Sequence, residues 1–267
     1  MKARSRILEH GYINIYSELN TKEKGQIFYN REYKKLNPNW DNTTILLCKK
    51  FEDVLKELSF PQDLKVLDAG CGNGNYVIDE FREKINLACG VDVDQKSTTK
   101  NICLDEIRYS PLEKIPYADN TFDVVLSLWV IEHLKDPKQV FLEIERVLKP
   151  GGVFIFATPN KNCLLLLLKS LFGGRKLNLL INEKLYGRRE EDVFGTYYKA
   201  NTKKSLERVL KESGFEGIDL SLNYDPGYTS FNSLTFKLSN FLDKFFEPIS
   251  PQLFKQHLVG MSKKQAL

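Results

Sequence analysis

A glycine-rich stretch with one acid carries the clearest chemical pattern in this 267-residue chain. An apolar run ending at Leu67 leads into Asp68-Ala69-Gly70-Cys71-Gly72-Asn73-Gly74-Asn75, and a helical pattern with Val77 and Phe81 on one face follows. Such a run indicates a buried strand, and glycines after it let a ligand approach the backbone or allow a positive φ. The stretch therefore predicts the opening of a nucleotide-binding βα unit, with free N–H groups at the start of its helix.

A second acid, Asp92, lies near the C-terminal end of the next predicted strand, Leu87–Asp94, about twenty residues beyond the glycines. A carboxylate at that place accepts hydrogen bonds from a ribose diol in doubly wound nucleotide sites. A dinucleotide fingerprint, G-x-G-x-x-G, would require a third glycine at position 75, where Asn75 stands. The alternative is a tight strand–helix turn that binds no ligand.

These residues and three later segments resemble the class I S-adenosylmethionine-dependent methyltransferases, and in particular their type 11 group. The later segments are Ile115–Val125 (IPYADNTFDVV), Glu132–Leu134 (EHL) and Arg146–Gly152 (RVLKPGG). The resemblance covers about residues 60 to 160 and is specific for the cofactor class, not for the substrate. It implies S-adenosylmethionine as cofactor. It also implies an α/β fold with a doubly wound, mostly parallel, seven-stranded Rossmann-like sheet, helices on both faces and a helical cap.

The resemblance also implies a set of cofactor-binding positions. They are Asp68, Gly70, Cys71, Gly72, Asn75, Asp92, Val93, Ser110, Leu112, Leu128 and Trp129. Asp68 is expected to orient the methionine amino group, and the backbone at Gly70–Gly72 to lie against the methionine portion. Asp92 is expected to bind the ribose hydroxyls, and Leu128 or Trp129 to offer backbone groups to the methionine end.

Adenine recognition departs from the family pattern. The family commonly has an acid after the third strand, whereas this chain reads Ser110-Pro111-Leu112-Glu113. We therefore expect backbone groups near Ser110 to meet the adenine and Leu112 to pack on its ring. Glu113 is the alternative partner.

His133 is the candidate general base, because it follows the fourth strand and its pKa range suits proton removal near neutrality. The alternative is a structural histidine that links the loop to the next helix. Some quinone O-methyltransferases of this class bind a metal through Glu-x-x-Glu-His. Here Glu132 and His133 are present but Trp129 occupies the first acidic position, so we predict no metal site.

Hydrophobic patterns predict the remaining elements. The predicted strands are Glu106–Tyr109, Phe122–Leu128, Val153–Ala157 and Phe215–Leu222, and the predicted helices are Thr43–Leu58, Pro137–Leu148 and Lys203–Ser213. Lys149–Gly152 is expected to end one helix as a Pro-Gly turn. The aromatic tail from Tyr224 onward is expected to form a helical pair.

The sequence divides the chain into four predicted parts. Residues 1–60 are predicted to form an N-terminal helical cap, 61–160 the cofactor-binding core, 161–200 a lid insertion, and 201–267 the end of the sheet with an aromatic helical segment. The leucine run in Leu164–Phe172 is interpreted as a lid helix over the substrate pocket, with peripheral membrane contact as the alternative. Tyr186–Tyr198, which mixes charged and aromatic residues, is interpreted as a pocket wall.

Composition limits the function classes. The chain has 39 basic and 35 acidic residues, a net charge of +4, which is too mild to imply nucleic acid as a partner. Five cysteines without a C-x-x-C pair indicate reduced thiols, and no signal peptide or membrane-spanning run is evident, so we predict a cytoplasmic protein.

The resulting hypothesis is a methyltransferase acting on a small, amphipathic or lipid-linked acceptor, with O- or C-methylation favoured and its oligomeric state open. The rivals are a nicotinamide-dependent oxidoreductase, a non-catalytic S-adenosylmethionine-binding protein and an RNA methyltransferase. Asn75 argues against the first rival, the intact Asp68, glycines and Asp92 argue against the second, and the mild charge argues against the third.

Overall fold

A seven-stranded sheet in the order β3-β2-β1-β4-β5-β7-β6 forms the centre of the fold. The computed structural model describes residues 21–59, 62–164, 166–167 and 195–266. The strands are β1 Lys65–Ala69, β2 Leu87–Asp92, β3 Glu106–Tyr109, β4 Phe122–Leu128, β5 Leu148–Pro159, β6 Phe215–Asn223 and β7 His257–Lys264. The pairs β1–β2, β1–β4, β2–β3 and β4–β5 are parallel, which confirms the predicted mostly parallel α/β sheet.

Helices occupy the connections, close to their predicted positions. Within the described ranges they are α1 Thr21–Leu36, α2 Thr43–Glu57, α3 Tyr76–Phe81, α4 Pro137–Val147, α5 Lys203–Glu212 and α6 Ser233–Phe246. The helix α5 begins directly after Thr202, which forms a capping box with Ser205. It ends before Gly214, which has a φ of 88°.

The segment Lys149–Gly152 corrects one prediction. It is not a turn between helix and strand, because β5 already begins at Leu148 and carries the segment within it. The pairing of β5 with β4 shifts register between Phe122 and Val124, and Gly151 has a φ of 75°. A glycine tolerates this left-handed conformation, so the strand absorbs the irregularity as a bulge and continues.

The C-terminal segment corrects a second prediction. The tail forms one helix, α6, and then the strand β7, which lies between β5 and β6, so the expected helical pair is wrong. Gly260 allows this insertion. A Cβ at that position would lie 2.5 Å from Leu220 Cδ2 and 2.8 Å from the ring of Phe156.

The chain divides into two compact units. Unit 1 takes its described residues from Met1–Ile45, Asn160–Gly195 and Leu222–His257, and unit 2 from Leu46–Pro159, Thr196–Ser221 and Leu258–Leu267. Unit 2 holds a core of fully buried side chains from the central strands, including Leu67, Leu126 and Phe154. Burying each such side chain contributes about 1.5–3 kcal/mol to stability.

Several predicted features lie wholly or partly outside the described residues. These are the first twenty residues of the N-terminal cap, Leu165 and Leu168–Phe172 of the leucine run, and most of Tyr186–Tyr198. All five cysteines are described, buried and free of disulfides. None of the described helices combines the length and the apolar character that crossing a bilayer requires.

Candidate active site

The carboxyl ends of β1, β2 and β4 lie side by side in unit 2. Asp68 of β1 is in register with Gly90 of β2 on one side and with Leu126 of β4 on the other. The chain order of the sheet reverses between β1 and β4. Open α/β sheets bind ligands at the carboxyl ends of their strands beside such a reversal. The predicted cofactor residues Asp68, Asp92 and Leu128 therefore gather at one edge of the sheet.

Asp68 is almost completely buried at the end of β1. Its Oδ1 accepts a hydrogen bond of 3.0 Å from Asn75 Nδ2, while its Oδ2 has no hydrogen-bond partner among the described residues. Burial raises the pKa of this carboxyl to about 7, with further contributions from the charges of Asp92 and Asp79 and opposition from the Asn75 hydrogen bond. A buried acceptor without a partner is costly, and a cationic ligand group would remove that cost.

Asn75 is used within the protein, and its side chain occupies one of the N–H groups at the start of the helix. It is the N-cap of α3, where its Oδ1 accepts from the N–H of Val77 while its Nδ2 donates to Asp68. Both ends of the amide are therefore engaged within the protein. The effect of Asn75 on a ligand passes through the orientation of Asp68.

The glycine turn combines one tight position and one open position. A Cβ on Gly70, which has a φ of 82°, would lie 2.4 Å from Val130 Cγ2. A Cβ on Gly72, which has a φ of 38°, would meet no atom within 4 Å. The N–H groups of Gly70 and Cys71 both donate to the carbonyl of Val91, so the turn is anchored to β2. Gly70 keeps the turn close to the chain, and Gly72 borders open space.

Cys71 contributes packing rather than a reactive thiol. Its side chain is buried, and a Cβ on Gly90 would lie 2.8 Å from its Sγ. Burial raises the pKa of the Cys71 thiol well above its usual range, so the neutral thiol persists. The backbone of Cys71 can still face a ligand, as the resemblance implies.

Asp92 ends β2 and is half-buried. Its Oδ2 accepts from the N–H of Gly72 at 2.9 Å, and its Oδ1 accepts from the N–H of Asp94 at 2.9 Å. A carboxylate has about four lone-pair sites, so both oxygens keep capacity for ligand hydroxyls. The same contacts connect the acid of β2 to the glycine turn of β1.

The residues predicted to lie near the adenine differ in their burial and in the hydrogen bonds that they already make. Ser110 donates its N–H to the carbonyl of Asp92 and its hydroxyl to the carbonyl of Lys114, so its donors are used within the chain. Leu112 is nearly buried, whereas Val93 is exposed. Of the predicted backbone contacts at Ser110, only acceptance by the carbonyl is compatible with these bonds.

Trp129 has an unusual backbone at the end of β4. Its φ is 63°, a left-handed conformation that is rare for an aromatic residue, and its N–H donates to the carbonyl of Ala157. Such strain costs on the order of 1–3 kcal/mol and occurs preferentially at functional sites. Leu128 immediately before it is half-buried. The strain lies where the resemblance implies contact with the methionine end.

His133 lies at the end of a buried polar chain. The residue belongs to the short 3-10 turn Ile131–His133, and its Nε2 is 3.9 Å from Oε1 of the buried Glu132. Glu132 Oε2 accepts from Thr158 Oγ1 at 2.9 Å, and Asn201 Nδ2 donates to that same hydroxyl at 2.6 Å. The sequence points to Glu132 only through the incomplete Glu-x-x-Glu-His motif. It does not identify Thr158 or Asn201 as site residues. No sequence signal connects them, because Asn201 is 43 residues beyond Thr158.

Metal-ligating side chains do not cluster in the part of the chain that the structure describes. No group of three His, Cys, Asp or Glu side chains there could hold an ion. The Glu132 carboxylate accepts a hydrogen bond from Thr158 and lies close to His133.

Comparison with known proteins bears on the family of the central region. Residues 67–156 match the family described as "Methyltransferase domain", type 11. A probable S-adenosylmethionine-dependent methyltransferase from Mycolicibacterium smegmatis is 40% identical over 100 residues, which are 36% of this chain and 38% of that protein. A crystal structure of a SAM-dependent methyltransferase from Archaeoglobus fulgidus is similar over 81% of this chain and 94% of that chain, with a TM-score of 0.51 and 18% identity. At that identity, the likeness concerns the fold alone.

Two further relatives have more specific names. A ubiquinone biosynthesis O-methyltransferase from Rhodopseudomonas palustris is 30% identical over 43% of this chain and 47% of that protein. A tRNA (carboxymethyluridine(34)-5-O)-methyltransferase from Arabidopsis thaliana is 29% identical over 54% of this chain and 35% of that protein. The matched region thus spans less than half the length of these curated relatives. Residues 67–156 of this chain form a class I S-adenosylmethionine-dependent methyltransferase domain of the type 11 group.

Proposed function

We propose that the chain transfers a methyl group from S-adenosylmethionine to an oxygen or carbon atom of a small or amphipathic acceptor. The observation that carries this proposal is the pair of acids at one sheet edge. Asp68 has a buried oxygen without a partner among the described residues, and Asp92 holds the glycine turn while keeping lone pairs free. An ammonium group and a ribose diol, which S-adenosylmethionine both carries, satisfy these two acids.

The residues present fit this cofactor. Asp68 would hold the amino group, the open backbone at Gly72 would border the methionine portion, and Asp92 would hold the ribose. When bound, S-adenosylmethionine supplies a methyl group on a sulfonium, which an acceptor atom displaces in line. The task of the chain is to hold donor and acceptor together and to exclude water.

His133 is the proposed base for an acceptor that must lose a proton. Its ring is partly exposed, with 30% of the side chain accessible, so a substrate hydroxyl can reach it. Oε1 of the buried Glu132 lies 3.9 Å from Nε2 of His133, close enough to help orient the imidazole ring. Thr158 fixes that carboxylate by a hydrogen bond, and Asn201 in turn donates to the hydroxyl of Thr158.

The acceptor class rests on weaker support than the cofactor. Two relatives with specific names are O-methyltransferases, and one of them is named for ubiquinone biosynthesis. The mild net charge of +4 favours a small molecule over nucleic acid. The relative named for tRNA makes an RNA acceptor the second candidate.

Calorimetric titration with S-adenosylmethionine and S-adenosylhomocysteine, with NADH as control, tests the cofactor. We expect both sulfur ligands to bind and NADH not to bind. Binding of NADH alone would support the oxidoreductase, and binding of none of the three would contradict the proposal.

Methyl transfer from isotopically labelled cofactor to phenols, quinols and transfer RNA then identifies the acceptor. If both sulfur ligands bind but no acceptor is methylated, the non-catalytic binding protein is favoured.

A further inference from the structure

The helix α6 in unit 1 has an inverted distribution of polar and apolar residues. Its buried residues are polar, Ser239 and Asp243. Its large exposed residues are apolar and stand at Leu234, Leu238, Phe241 and Phe245, with between 51 and 76% of each residue accessible. This is opposite to the pattern of a helix packed on a hydrophobic core.

The buried polar residues contact other parts of unit 1, and these contacts fix the orientation of α6. Asp243 Oδ2 accepts from the hydroxyl of Tyr33 at 2.7 Å, and Asp243 Oδ1 lies 3.3 Å from Lys255 Nζ. Ser239 Oγ accepts from the hydroxyl of Tyr224 at 2.9 Å. Rotating the helix to bury its apolar side would break these contacts.

The exposed apolar residues form one continuous stripe. Positions 234, 238, 241 and 245 follow the i, i+4, i+7, i+11 spacing of a single helix face, and the rings of Phe241 and Phe245 stack at 6.1 Å. Phe231 just before the helix and Ile249 just after it are also exposed. Single exposed apolar side chains need no explanation, whereas a contiguous exposed stripe marks an interaction surface.

We propose that this stripe, Leu234–Leu238–Phe241–Phe245, inserts into the surface of an anionic lipid bilayer. Lys237 and Lys244 are exposed, and each follows a stripe residue by three positions, so both flank the stripe on the same side. The acid of the helix, Asp243, is buried and paired, so the exposed charges of α6 are cationic. Aromatic and leucine side chains flanked by lysines are typical of helices that lie in the plane of a membrane interface.

A second copy of the chain fits this surface less well. An isologous contact places the same patch of both subunits together, and here it would bring two sets of like-charged lysines to one interface. Anionic headgroups instead neutralise them, at about 1 kcal/mol per lysine near the surface. The proposal does not depend on methyl transfer, because it rests on unit 1 alone.

Co-sedimentation of the full chain with vesicles tests the proposal. We expect sedimentation with phosphatidylcholine vesicles containing phosphatidylserine and much weaker sedimentation with phosphatidylcholine alone. The double variant Phe241→Asp/Phe245→Asp is expected to lower the partition coefficient at least about 30-fold, given the transfer free energy of two aromatic side chains. The matched control Ile102→Asp/Leu142→Asp changes two exposed apolar residues of unit 2 and is expected to bind like the wild type.

A second pair of variants tests the charge requirement. Lys237→Glu/Lys244→Glu is expected to weaken binding to the anionic vesicles at least about tenfold. Lys203→Glu/Lys204→Glu, which changes two exposed lysines of α5, is expected to have a much smaller effect. Circular dichroism and the S-adenosylmethionine affinity report whether each variant is folded.

Three outcomes overturn the proposal. The wild type does not sediment with anionic vesicles, or it sediments equally well when Phe241 and Phe245 are changed. In the third, light scattering shows a wild-type dimer that the phenylalanine variant converts to monomer, in which case a second copy covers the stripe.

Discussion

Asp68 and Asn75 act as a pair at the end of β1. The sequence predicted both as ligand-binding residues, but it could not show that Asn75 uses one end of its amide on Asp68 and the other on Val77. The missing information was the path of the glycine turn, which brings position 75 back to position 68. Because burial raises the pKa of Asp68 to about 7, its charge near neutral pH depends on what it binds.

The affinity for S-adenosylmethionine is expected to depend on pH through Asp68. As pH falls from 7.5 to 5.5, Asp68 gains a proton and loses the charge that attracts an ammonium group, while an α-amino group stays protonated in that range. The affinity is therefore expected to fall by up to about tenfold per pH unit below the pKa. Calorimetry across this range measures it. Asp68→Asn is expected to bind weakly with no such slope, and an unchanged slope in that variant would refute the assignment.

Asp92 allows a second test at a single residue. Asp92→Ala is expected to weaken S-adenosylmethionine binding about 10- to 100-fold, because it removes hydrogen bonds from a charged acceptor. The same change frees the N–H groups of Gly72 and Asp94, so part of the loss comes from the turn. Asp94→Ala, which changes the neighbouring acid, serves as control and is expected to retain most of the affinity. Unchanged affinity in a folded Asp92→Ala variant would remove Asp92 from the site.

His133 is the third residue with a separable prediction. If it accepts the proton of an acceptor hydroxyl, His133→Ala is expected to lower kcat about 10²- to 10⁴-fold and leave cofactor affinity nearly unchanged. Glu132→Gln, which removes the carboxylate beside the imidazole, is expected to lower kcat as well, but by less than His133→Ala. A structural histidine predicts instead a loss of stability in His133→Ala with little change in kcat. Steady-state kinetics and thermal unfolding of both variants distinguish the two roles.

At the scale of elements, the seventh strand marks what the sequence could not reveal. Hydrophobic patterns identified the first six strands, whereas β7 has only Leu258 and Val259 as an apolar run before Gly260. The strand forms because β5 and β6 leave room for it between them. The position of β7 is thus decided by tertiary contacts, which no local sequence pattern encodes.

The close packing around Gly260 predicts a specific cost. Gly260→Ala is expected to lower the free energy of unfolding by about 1–3 kcal/mol, because the new Cβ would overlap Leu220 and the ring of Phe156. Gly25→Ala in α1 is the matched control, since no atom lies within 4 Å of its added Cβ. It is expected to stabilise the helix by up to about 1 kcal/mol. Chemical denaturation of both variants measures the difference, and equal stabilities would show that β7 is not packed as described.

At the scale of the whole molecule, cofactor binding and the lipid-facing stripe are assigned to different units. All candidate site residues from Asp68 to His133 belong to unit 2, and α6 belongs to unit 1. The sequence places Tyr33 and Trp40 in the predicted N-terminal helical cap. It could not predict that Tyr33 bonds Asp243, because 210 residues separate them. Unit 1 is thus assembled from distant segments around buried polar groups, and its stability is open to separate tests.

Tyr33→Phe tests whether this polar core stabilises unit 1 without contributing to cofactor binding. The substitution keeps the ring that contacts Trp40 and Tyr224 but removes the hydroxyl that donates to Asp243. Because the buried carboxylate loses a donor, we expect a loss of about 1–3 kcal/mol in the free energy of unfolding. The affinity for S-adenosylmethionine, measured below the unfolding temperature, is expected to be unchanged. Tyr197→Phe, which alters an exposed tyrosine, is the control and should leave both quantities unchanged. A Tyr33→Phe variant with normal stability and weakened cofactor binding would place Tyr33 in the binding machinery instead, as a residue of the cap that the N-terminal sequence predicts.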